Sequence, residues 1–267
     1  MSLLRDVYPV LFRTDIAVQF QYRAAMIIWL IGLVIQPVVY LVVWLTVAKT
    51  QGGEVGGFTS ADFSAYYITY MVVNHLTFTW VMFEFEYRVR SGAFSPLLLQ
   101  PLHPIHRDIA TNIAYKLLTT VLVLPVTALL IWAFSPRAEL QLWALLAFVP
   151  SLILAFLLRF FIEWALALAA FWTTRVDAIN QVFFAVMLFL AGRMAPLSLM
   201  PDWVQTIAYW SPFPWMVAFP VDLLLGKLTW EETVEGLVAQ AVWSLLALAL
   251  LSVVWKRGVK AYSAVGS

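Results

Sequence analysis

Arg159 and Glu163 stand four residues apart inside a long apolar run, Leu140 to Trp172, of a 267-residue chain. Ionisable groups are expensive in hydrocarbon, and this spacing places both on one helix face, where each can neutralise the other. The expectation is a structural ion pair at a helix or subunit contact, or near the inner interface, with a gating or substrate role left open. Lys116, within another apolar run, is expected to snorkel to the inner interface. Interior chemistry beyond these is sparse. His75, Asn74 and Glu163 are the groups from which an enzyme acting on lipid or on a buried peptide bond could be built, and they form no recognisable constellation. His103 and His106 are three apart, but Pro101 and Pro104 oppose a helix around them, and two imidazoles do not make a zinc site. No metal site is expected. With no cysteine, thiolate ligands, disulfides and cysteine nucleophiles drop out. The HExxH, GxSxG, dinucleotide-binding and phosphate-loop motifs are absent too, so the chain is not expected to be an enzyme.

The elements that position these groups must live in a bilayer. Hydrophobic residues make up 63% of the chain and charged ones 12%, far from the proportions of soluble domains. The net charge of +1 gives no overall basic field for nucleic acid. Residues 2–23 alternate Leu3, Leu4, Val7, Leu11 and Val18 against Arg5, Asp6 and Arg13, the pattern of an interfacial helix, which Pro9 is expected to bend or break. Six apolar runs follow: Ala24 to Ala48, Tyr66 to Phe83, Ile109 to Phe134, Leu140 to Trp172, Ala178 to Ala195 and Leu237 to Trp255. The expected fold is all-α, a single polytopic membrane domain of six transmembrane helices behind an N-terminal interfacial helix.

Basic residues assign the sides. With the N-terminus cytoplasmic, that side collects Arg5, Arg13, Arg23, Arg88, Arg90, Arg107, Arg175, Lys256, Arg257 and Lys260, against Lys49, Arg137, Arg193 and Lys227 on the other. Both termini are therefore expected inside. Two segments then stand out. The connection from Glu84 to Asp108 joins charge, a glycine break at Gly92 and an apolar anchor at Phe94, features that suit docking to a protein. Phe94 is expected to fill a partner cleft, with Arg88 and Arg90 steering toward acidic rim residues. The stretch from Gly192 to Glu235 carries Pro196, Pro201, Pro212, Pro214 and Pro220 among Trp, Phe and Leu. Too apolar for a free loop and too broken for a span, it is expected to fold back as short re-entrant helices after the fifth span.

At these segments the chain resembles the ABC-2 permeases, in particular a bacterial subgroup with an Arg-Ser-Gly-x-(Phe/Leu)-Ser-x-Leu-Leu-Leu-x-Pro-Leu stretch, here Arg90 to Leu102. Gly192, Arg193 and Pro196, then Met200-Pro201-Asp202-Trp203 and Ser211-Pro212-Phe213, look like that subgroup's exit from the fifth helix. The resemblance implies the permease of an ATP-driven exporter in the bacterial inner membrane, paired with a second copy or homologue. It implies that separate ABC ATP-binding subunits hold ATP and Mg²⁺, and that this chain binds no cofactor. Arg88, Arg90, Ser91, Gly92 and Phe94 would lie in the coupling segment, with the Thr173 to Asp177 turn, including Arg175, as a smaller contact. A membrane-embedded enzyme or a non-transporting scaffold are the competing classes. The transported substrate is not legible.

Overall fold

A computed structural model describes residues 2–173 and 176–262. Its helices are α1 (Ser2–Gln21), α2 (Arg23–Thr50), α3 (Ser60–Thr77), α4 (Val81–Arg90), α5 (Ser95–Leu98), α6 (Pro104–Phe134), α7 (Leu142–Ala167), α8 (Val176–Leu190), α9 (Asp202–Tyr209), α10 (Phe213–Met216), α11 (Ala218–Leu224) and α12 (Trp230–Ala261). The only sheet among the described residues pairs Glu54–Val55 with Phe58–Thr59. The chain is all-α, as its composition predicts. By length and hydropathy α2, α6, α12 and α7 with its 3-10 extension to Phe171 can each cross a bilayer. The second expected crossing falls on α3, of 18 residues, and the start of α4, and the fifth on the shorter apolar α8, of 15.

Several helices start earlier than their apolar runs, two of them behind the same kind of cap. α3 begins at Ser60 and α12 at Trp230, each behind a capping box. Thr59 accepts a bond from the Asp62 N–H at 3.4 Å while the Asp62 carboxylate accepts from the Thr59 N–H at 2.9 Å. Thr229 and Glu232 repeat the arrangement at 3.3 and 2.8 Å. Each box satisfies orphan N–H donors and places an acid near the positive end of the helix dipole, worth about 1 kcal/mol. α1 also differs from expectation, running without interruption through Pro9. The carbonyl that loses its donor there belongs to exposed Arg5, where water can replace the bond.

Contacts sort the connections to two ends of the bundle. At one end α1 lies along α6: Tyr8 Oη is 3.0 Å from His106 Nδ1, and Thr111 Oγ1 donates to Asp15 at 3.0 Å. Phe94 and Tyr262 meet at that end, so the last turn of α12 joins it as well. We call it the basic end, for Arg88, Arg90, Arg107 and Lys256 to Lys260. At the opposite end the Arg137 N–H donates to the Ala61 carbonyl at 3.3 Å, and Lys227 Nζ sits 4.0 Å from the Phe58 ring centre. The outward faces of α2 and α6, with Ile28, Ile35, Val121 and Leu124 exposed, are apolar as lipid requires.

The Pro-rich stretch after α8 forms the short helices α9, α10 and α11, with Met216, Val217, Val221 and Leu223 buried against α7 and α3. Short helices broken at prolines are what its composition predicts. Gly192 permits that arrangement. Its φ is 75°, the Tyr66 hydroxyl donates to its carbonyl at 2.7 Å, and a Cβ would lie 2.4 Å from that hydroxyl oxygen.

Gly192→Ala adds left-handed strain of about 1 kcal/mol and overpacking of about 1–3 kcal/mol. It is expected to lower the thermal midpoint in detergent, read by fluorescence-detected size exclusion. Adding Tyr66→Phe should recover the steric part and leave the backbone part. An alanine variant as stable as the parent would contradict the close approach.

Candidate functional site

The expected second span, Tyr66 to Phe83, is two helices. α3 stops at Thr77, α4 starts at Val81, and Phe78 to Trp80 form a break between them. Breaking a helix away from water leaves carbonyls that need other donors. Lys116, from α6, donates to the Phe78 carbonyl at 2.6 Å. Its side chain is buried under the Phe156 ring rather than snorkelling, because that carbonyl gives the ammonium a partner within the bundle. Arg159, from α7, donates to Asn74 Oδ1 at 3.0 Å and Thr77 Oγ1 at 3.3 Å, and its guanidinium carbon lies 5.1 Å from the Phe78 ring centre.

Arg159 Nε also donates to Glu163 at 2.7 Å, and the Thr79 hydroxyl donates to the other carboxylate oxygen. The ion pair read from spacing therefore exists, and it grips the end of α3 and the break itself. His75, Asn74 and Glu163 do not converge as a catalytic set. Asn74 and Glu163 are both taken up by Arg159, while His75 Nε2 lies 3.2 Å from the Thr119 hydroxyl.

At the basic end α4 leads into a second cluster. Phe85, Phe94, Trp164, Phe171, Trp255 and Tyr262 pack ring against ring. Gly92, at φ 74°, turns the chain so that Phe94 points back into this cluster. Phe94 is fully buried, so it offers no area to a partner and instead pins the connection to the bundle, a burial worth roughly 1.5–3 kcal/mol. Arg88 is likewise occupied. It donates to Asp108 Oδ1 at 2.8 Å, and Trp164 Nε1 donates to Oδ2 at 2.9 Å. Steering by Arg88 toward a partner's acids is corrected by this inward bond, and Asp108 is a hub that sequence reasoning missed.

Arg90 remains two-thirds exposed beside Glu86, at 3.3 Å, and Ser91 is exposed as the cap of α4. The apolar groups that do face outward here are Tyr87 and Leu99, 71% and 88% exposed. Arg175 lies outside the described residues. His103 accepts from the Ile105 N–H at 3.2 Å and caps α6, its ring 4.3 Å from that of Trp255. Burial, and then the neighbouring His106, hold the His103 imidazole below its ordinary pKa, consistent with a neutral ring whose Nδ1 accepts. No group of three or more potential metal ligands occurs among the described residues.

At the opposite end, the Tyr67 hydroxyl and Trp44 Nε1 both donate to the Met194 carbonyl, at 2.7 and 2.9 Å. They fix the turn that holds Gly192 and Arg193. Arg193 is half-buried, with no partner for its Nε among the described residues, and Pro196 is buried where the chain enters a 3-10 turn.

The break carries a charge imbalance that can be tested. Lys116 lies within the fields of both Arg159 and Glu163, so two cations share one carboxylate. Removing one partner of a buried pair costs about 3–5 kcal/mol. Glu163→Ala should be worse than Arg159→Ala, because it leaves both cations uncompensated whereas Arg159→Ala leaves Glu163 with Lys116. Arg159→Met with Glu163→Leu should be milder than the sum of the two alanine changes. Folded yield and thermal midpoint in detergent decide; additive losses would refute a coupled unit.

No curated protein and no solved structure matches this chain. A family model described as the ABC-2 family transporter protein matches residues 25–266, nearly its whole length. That match agrees with the apolar helices and with the family that the sequence resembles. The chain belongs to the ABC-2 family and is a multi-pass membrane component of an ABC transporter.

Proposed function

We propose that the chain is the permease subunit of an ATP-driven exporter of the bacterial inner membrane, working beside a second permease. Separate ATP-binding subunits supply ATP and Mg²⁺ and dock on the connection between α4 and α6. Both chain termini and the basic end face the cytoplasm, a reading supported by the clustering of Arg88, Arg90, Arg107 and Lys256 to Lys260 there. Arg193, Gly192 and Pro196 belong to the outer exit.

The observation that carries the docking reading is the two-sided build of the connection. Phe85, Val89, Phe94 and Leu97 are buried, while Tyr87, Arg90 and Leu99 face outward from the same short stretch. A large, exposed aromatic and leucine beside an arginine is the composition of an interface core. Because the buried side is fixed in the bundle, a push on the exposed side reaches α4 and, through it, the break at Phe78 to Trp80. Arg175 and its turn would form the smaller contact.

Tyr87→Ser with Leu99→Ser should leave insertion and thermal stability unchanged and weaken retention of the phosphate-loop ATPase in a pull-down by about tenfold or more. Phe94→Ala should instead lower folded yield, by about 3–5 kcal/mol of stability. Unchanged retention and unchanged hydrolysis coupled to transport in the double serine variant would remove the docking role. Orientation is testable separately, since the chain has no cysteine. Gln51→Cys and Ala138→Cys should react with an impermeant thiol reagent in intact cells, and Ser91→Cys should not; labelling of position 91 from outside would invert the topology.

A further inference from the structure

Where α1, α2, α4 and α6 meet at the basic end they leave a recess of about 400 Å³. Tyr22, Trp29, Trp80, Phe83 and Tyr115 line it together with the carboxylate-bearing Glu84. We propose that this recess is a binding site for an organic cation, a quaternary ammonium or phosphonium group with apolar substituents.

The walls favour that charge. The Trp29 and Trp80 rings meet edge to face at 4.9 Å, and Phe83 lies 6.0 Å from Trp80. These rings come from the start of α2, the break and α4, and Tyr115 adds a fourth direction from α6. Aromatic faces are negative and attract a weakly hydrated cation most strongly where water is partly excluded. Anions meet both those faces and the Glu84 carboxylate. A neutral ligand would have to approach that carboxylate without compensating it.

Glu84 shares its cation with a second acid. Its nearest cation, Arg88, stands 3.6 Å away and makes its shorter bond, 2.8 Å, to Asp108. Burial raises the Glu84 pKa, with Asp108 and Asp15 acting in the same direction and Arg88 and Arg107 against it, so a bound cation would favour the charged carboxylate. The Glu84 side chain is half-exposed, so the recess opens toward solvent and headgroups. On its inner wall the buried Tyr115 hydroxyl lies near the Trp80 indole. A single carboxylate does not hold a metal ion, and the volume is that of a small-molecule site.

The site touches the break directly. Trp80 is both a wall of the recess and the residue that precedes α4 as its cap, and its ring lies 4.9 Å from that of Phe78, whose carbonyl Lys116 holds. A bound cation therefore sits against the segment that the buried charges pin. Binding is a property of this chain alone and is independent of the ATPase partner and of transport direction.

The probe is tetraphenylphosphonium, with tetraphenylborate as its anion of like shape. Saturable binding to the full chain in nanodiscs, with empty nanodiscs subtracted, is expected for the cation and not for the anion. Glu84→Gln and Trp80→Leu, each checked for an unaltered elution profile and helix content, should weaken it about tenfold. Displacement by dihexanoylphosphatidylcholine, and not by dihexanoylphosphatidylglycerol, would identify a choline headgroup as the occupant; no displacement by either would identify a free amphipathic cation. Equal saturable binding of tetraphenylborate, or undiminished cation binding in both variants, would overturn the proposal and leave the rings as ordinary interface anchors. Failure of the ATPase pull-down would leave this result untouched.

Discussion

A helix interrupted among apolar neighbours leaves carbonyl oxygens that water cannot reach, and the second crossing is interrupted at Phe78 to Trp80. Donors must come from side chains on adjacent helices. Lys116 supplies one to the Phe78 carbonyl, Arg159 binds the Asn74 and Thr77 side chains beside it, and two buried cations then require an acid, which Glu163 provides. Three helices are thereby fixed to one another through a few polar contacts. Beyond the break, α4 delivers Phe85 and Arg88 to the cluster at the basic end.

That cluster explains why the connection can be both exposed and firm. Phe94 and Leu97 face inward, Arg88 is bound by Asp108, and Asp108 is in turn bound by Trp164. What remains outward is a narrow set, Tyr87, Arg90 and Leu99, carried on a rigid support. Rigidity matters for a mechanical role, since a contact on a loose loop would dissipate displacement before it reached the helices.

Hydropathy made the all-α, multi-pass character legible, because a charge-free run such as Ala24 to Ala48 has few soluble alternatives. The Arg159 and Glu163 pair was legible from spacing alone, since i and i+4 share a helix face. Helix starts were less so: the apolar signal begins at Tyr66 and Leu237, whereas the helices begin at Ser60 and Trp230. The T-x-x-D and T-x-x-E boxes marked those starts, outside the apolar runs. The break itself has no local mark, as Phe78, Thr79 and Trp80 include neither glycine nor proline. Its cause lies in residues from α6 and α7. For the same reason Phe94 and Lys116 could not be placed: whether a ring or an ammonium turns inward depends on what distant helices offer it.

The aromatic cluster around Phe94 has a consequence for how the chain matures. Ser95 and Tyr262, 167 residues apart, share a 2.8 Å contact, and Trp255 and Tyr262 complete the walls around Phe94. A ribosome delivers the connection long before it delivers those walls. Until α12 has emerged and inserted, Phe94 has no finished pocket and the segment has no fixed shape. A nascent chain therefore holds the connection without its finished support until α12 has been made.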